Sequence, residues 1–73
     1  MDARPRIFNL VNPENKLEVF AVGMDLGDEA VTYRQGNRFG VHRSVDSAYA
    51  LFSKITELRL IWEEDFEDAE IAG

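Results

Sequence analysis

The sequence predicts an α+β domain: a small antiparallel β-sheet in the order β-β-β-β-α-β, with one helix packed on one face and an acidic C-terminal tail. Three observations predict it. Short runs of β-branched and aromatic residues alternate with turn residues, one apolar stripe at helical spacing runs from Val45 to Ile55, and carboxylates crowd the chain after Trp62.

Residues 6–11 (Arg-Ile-Phe-Asn-Leu-Val) form the first run of strand character. Asn12-Pro13-Glu14-Asn15 then reverses the chain, because proline fixes φ at the second turn position and asparagine tolerates a left-handed backbone. Residues 17–24 alternate Leu17, Val19, Ala21 and Gly23 against Glu18, Phe20, Val22 and Met24, and the larger set, Phe20, Val22 and Met24, is expected on the core. Asp25-Leu26-Gly27-Asp28-Glu29 reads as a loop before a third strand over residues 30–35. Gly36-Asn37 is expected to be a two-residue type II′ connection to a fourth strand over residues 38–43, pairing Gln35 with Arg38 and Tyr33 with Gly40.

Ser44 is a good N-cap and Asp46 complements the positive end of a helix beginning at Val45. Val45, Ala48, Tyr49, Phe52 and Ile55 make its buried stripe, and the helix is expected to end near Ile55 or Thr56. Residues 58–62 favour a fifth strand, which must join an open edge of the four-stranded meander; a short barrel closed by that strand is the alternative. A helix on one side leaves the other face of the sheet as a candidate interaction surface.

With 73 residues the chain holds one core, expected over residues 1–62, followed by a flexible acidic tail over residues 63–73. The absence of cysteine points to a reducing compartment, and a cytoplasmic location is expected. The apolar run near the N-terminus is too short for a signal peptide or a membrane span. The formal charge of −6 is carried entirely by the last eleven residues, since acids and bases balance from Met1 to Trp62.

No catalytic constellation is expected. His42, Ser44 and Asp46 invite comparison with a triad, but the serine is better used as a helix cap and so small a domain offers little room for a pocket. Asp25, Asp28 and Glu29 lack the spacing of a calcium loop and read as a polar turn. No metal or cofactor is therefore expected.

The leading expectation is a small non-enzymatic protein-interaction module, regulatory or inhibitory, that binds a basic protein partner through its acidic segment and a sheet surface. Trp62, Glu63, Glu64, Asp65, Phe66, Glu67 and Asp68 are its candidate residues, because apolar anchors spaced among acids suit a segment that folds on binding and can imitate a phosphate array. The bland alternative is a solubilising terminus. A second reading is a nucleic-acid-binding hairpin over residues 33–43, in which Arg34, Arg38 and Arg43 meet phosphates and Tyr33 and Phe39 stack bases. A third is a homo-oligomeric structural subunit whose exposed sheet edge or apolar face pairs with itself, and the acidic segment could also fold back on the basic hairpin of its own chain or reach that of a second copy.

Overall fold

The computed structural model describes residues 4–69. Its elements are β1 (Arg6–Asn12), β2 (Asn15–Asp25), β3 (Ala30–Arg34), β4 (Arg38–His42), α1 (Val45–Ser53), β5 (Arg59–Trp62) and a single 3-10 turn, Glu63–Asp65. The strands form one antiparallel sheet in the order β4-β3-β2-β1-β5. This is the expected order of elements. The sheet stays open, with β4 and β5 at its edges, and the fifth strand joins β1 instead of closing a barrel.

The strand alternation sorts side chains onto two faces. Phe8 and Leu10 of β1 point to the helix side, where they pack with Ala21, Ala30, Ala48, Phe52 and Leu58 in the main core. Phe8 lies opposite Gly23 in the β1–β2 register, and a Cβ at Gly23 would fall inside the Phe8 ring, so this glycine is the space that the ring occupies. Trp62 sits across from Phe8 on β5 and meets it edge to face at 5.9 Å between ring centroids.

Strand two corrects the expected face. Val22 and Met24 lie opposite Tyr33 and Val31 on the side away from the helix, while Ala21 and Gly23 face the core. Small residues win the core side because the aromatic rings of Phe8 and Phe52 fill the volume above them. Phe20 does reach the core, stacking edge to face on Phe52 at 5.6 Å, because the pairing skips it between Leu10↔Ala21 and Val11↔Val19. Such a bulge places an extra residue in one strand and re-aims its side chain.

The β3–β4 connection also differs. Arg34 pairs with Arg38 and Tyr33 with Phe39, so the loop is the three residues Gln35-Gly36-Asn37, with φ of 97° at Gly36 and 65° at Asn37. The expected two-residue turn is displaced by one position, and a one-residue slip moves every opposing pair. Glycine followed by asparagine is what makes two consecutive left-handed positions affordable.

The helix is capped as expected: Ser44 Oγ accepts from Ser47 N at 3.1 Å, and Asp46 sits in the first turn. It ends at Ser53, earlier than expected, and Ile55 lies beyond it at 62% exposed, outside the buried stripe. Tyr49 Oη donates to the Leu58 carbonyl at 2.8 Å, tying the helix to the segment that leads into β5.

Two stability outcomes follow from this packing. Phe52→Ala removes the ring shared by Phe20 and His42 and should cost about 3–5 kcal/mol in denaturant unfolding. Gly23→Ala should destabilise by at least about 1–3 kcal/mol through overpacking, and by less in a Phe8→Leu background; equal losses in both backgrounds would show that the Phe8 ring is not the obstacle.

Candidate protein-binding face

The side of the sheet opposite the helix divides into two halves. On the β1–β5 half, Asn9, Val11 and Ile61 point away from α1, yet Val11 is 0% exposed and Ile61 only 4%. The chain after β5 turns back over them. Asn9 Nδ2 donates to Glu63 Oε1 at 2.9 Å and approaches the Ile61 carbonyl at 3.4 Å. Farther along, the Lys16 ammonium donates to the carbonyls of Phe66, Glu67 and Ala69 and stands 5.0 Å from the centre of the Phe66 ring. Successive carbonyls at the end of an irregular turn form a site of negative partial charge, which a lysine can satisfy.

The acidic segment is thus a ridge on the domain surface as far as Ala69; residues 70–73 of the expected tail lie outside the described residues. Trp62 is half-buried between Phe8 and the Arg6 guanidinium, which lies 4.0 Å from the indole centre. Glu64 is ion-paired with Arg6, whose Nε also donates to it at 2.9 Å. Glu63 is held by Asn9 and Phe66 is half-buried, while Asp65, Glu67 and Asp68 face solvent. Of the seven residues expected to bind a partner, Trp62, Glu63, Glu64 and Phe66 therefore make contacts within the domain, and three carboxylates remain outward.

The β2–β3–β4 half is uncovered and apolar. Val22, Tyr33, Phe39 and Val41 are exposed, the last two at 75% and 71%, with Val31 and Met24 half-buried between them. Tyr33 and Phe39, directly opposed in the ladder, have ring centroids 5.0 Å apart. Ile7, Val22, Met24, Val31, Tyr33 and Phe39 surround a shallow depression of about 230 Å³.

The hairpin residues proposed for nucleic acid separate onto opposite faces. Tyr33 and Phe39 lie on the open face, whereas Arg34 turns to the helix side, 4.4 Å from the Phe20 ring centre and 5.8 Å from that of Phe52. Arg38 pairs with Arg34 in the register, and Arg43 follows the end of β4; both are exposed. The structure therefore does not bring the aromatics and Arg34 to one surface. His42 Nε2 is 2.9 Å from Thr32 Oγ1 and its ring meets Phe52 edge to face, so it and the capping Ser44 are engaged separately. Asp25 Oδ1 accepts from Gly27 N at 3.0 Å within the polar turn.

Sequence reasoning missed Asn9 and Lys16, which hold the ridge, and the run Val22, Met24, Val31 and Val41, which makes the open face. A signal for the first was present: Phe8-Asn9-Leu10-Val11 lacks alternation, and an unalternating strand is covered on both sides. Among the described residues no helix is long and apolar enough to cross a membrane. No protein family, curated protein or solved structure matches this chain.

Ending the chain at Trp62 should expose Val11 and Ile61 and leave Asn9 without Glu63, at a cost of about 2 kcal/mol. Thermal unfolding of the two chain lengths measures this; equal midpoints would show that the ridge does not cover the face.

Proposed function

We propose that this chain is a small non-enzymatic protein-interaction module whose binding surface is the uncovered β2–β3–β4 half of the open face, bordered by the acidic ridge. The observation that carries the reading is the adjacency of Phe39, Val41, Val22 and Tyr33, all exposed, on one side of an edge strand and its neighbours. A contiguous apolar patch rimmed by polar groups on a small domain is the usual mark of a protein contact, and edge strands are natural places for another chain to approach.

The chemistry of the borders defines the partner. Asp65, Glu67 and Asp68 give one border negative charge, so the partner presents an apolar patch with basic residues at its rim. A regulatory or inhibitory role follows naturally from such a surface, because the domain would act by covering a site on its partner. In this reading the folded face supplies the affinity and the ridge carboxylates supply orientation.

The test compares proteins retained from a nuclease-treated lysate by immobilised wild-type chain, by Val41→Asp and by Leu51→Asp, which alters an exposed position on the helix. Proteins held by wild type and Leu51→Asp and lost from Val41→Asp support the reading. Retention indifferent to Val41 places the contact elsewhere and ends it.

A further inference from the structure

The geometry points to a binding site for a dianionic phosphoryl group, that of a phosphate monoester or of free phosphate, on the helix side of the β3–β4 hairpin. The site goes beyond the protein-binding reading and lies on the opposite face of the sheet. Arg34 and Arg38 are directly opposed in the ladder and share that side with Thr32 and Gly40 at the next level and with His42 beyond them. All of them line one depression of about 220 Å³, walled by Leu51 and Phe52 of the helix.

Like charges directly opposite each other on a ladder repel. The described residues that line the depression include no carboxylate to offset the pair, although the chain as a whole has a formal charge of −6. Aromatic rings hold Arg34 in place, its guanidinium carbon 4.4 Å from the centre of Phe20 and 5.8 Å from that of Phe52. A guanidinium set against a ring keeps its in-plane N–H donors for an acceptor, and its orientation is fixed before any acceptor arrives. Arg38 faces it from the exposed edge strand.

Gly40 keeps the level beside the arginines open. A Cβ there would stand 2.9 Å from His42 Nε2 and 3.0 Å from Thr32 Oγ1. The imidazole therefore leans back over Gly40 toward Arg38, and its 2.9 Å contact with Thr32 and its edge-to-face contact with Phe52 hold it there. This polar floor lies two strand residues, roughly 7 Å, from the level of the arginines. The donor set names the ligand. One guanidinium fork occupies both oxygens of a carboxylate, whereas a phosphoryl group presents three oxygens and nearly two negative charges, enough for two forks.

Titration of the isotope-labelled full chain with phenyl phosphate, at about pH 7.5 in about 0.1 M NaCl, tests the site through amide chemical shifts. Saturable shifts centred on Thr32, Arg34, Arg38, Gly40 and His42 are expected, with a Kd of about 1 mM or below. Inorganic phosphate bound as tightly supports the site with the free anion as its ligand; inorganic phosphate bound more weakly supports it with the ester. Arg38→Gln, with an unchanged melting curve, should weaken binding at least about tenfold, and Arg38→Lys at least about threefold, since lysine supplies the charge without the fork. Arg43→Gln removes the same charge outside the depression and should change the Kd by less than about twofold. Leu51→Asp sets a carboxylate in the wall and should abolish binding, while Val41→Asp on the other face should retain it, so this site and the protein-binding face fail separately. No saturable shift up to about 20 mM phenyl phosphate overturns the inference. Equal losses from Arg43→Gln and Arg38→Gln, the mark of diffuse charge, also overturn it. So does benzoate or dimethyl phosphate bound as tightly as phenyl phosphate, because a single negative charge then suffices; tight dimethyl phosphate would indicate a nucleic-acid backbone instead.

Discussion

Everything in this molecule depends on β1 being covered on both of its faces. Phe8 and Leu10 go to the helix, Val11 goes to the opposite side, and Asn9 between them is buried while still bonded. A domain this small exposes much of its surface, so a central strand closed on both sides is where most of its burial is concentrated. The helix covers one side from α1, and the chain beyond β5 covers the other. That division explains why β5 must pair with β1: the strand that ends beside Phe8 delivers Trp62 to one face and Glu63 to the other.

The same arrangement makes the open face asymmetric. The return of the chain closes the β1–β5 half of the open face and leaves the β2–β3–β4 half bare. Cations complete the ridge in different ways. Arg6 neutralises Glu64 at an exposed site where a pair adds little stability, whereas Lys16 gathers the carbonyls of Phe66, Glu67 and Ala69 at the end of the irregular turn. Of the acids left outward, Asp65 and Asp68 stand with β5, and among the described residues nothing covers the apolar side chains of β2, β3 and β4 on this face. Apolar surface and charge are thus segregated across one face.

Much of this was legible in the residues. Turn chemistry located each reversal, the Ser44 cap and the helical stripe located α1, and the count of runs gave the order of elements. Which face each strand presents was harder to read. In β2 the larger residues looked like the core set, but a glycine opposite a phenylalanine is a better fit than valine opposite phenylalanine, and a bulge carried Phe20 across. In the hairpin, Gly36-Asn37 fits either a two-residue or a three-residue loop locally, and only the pairing of Tyr33 with Phe39 distinguishes them.

The sequence by itself determined the elements, their order, the capped helix and the concentration of charge after Trp62, because each follows from local backbone preference or from composition. Tertiary structure decided the register of β3 on β4, the side to which Val22 and Met24 turn, the edge that β5 joins and the return of the acidic segment across Val11 and Ile61. These depend on contacts between residues far apart in the chain, such as Phe8 with Gly23, Asn9 with Glu63 and Lys16 with the carbonyls near Phe66, whose energies no local pattern encodes.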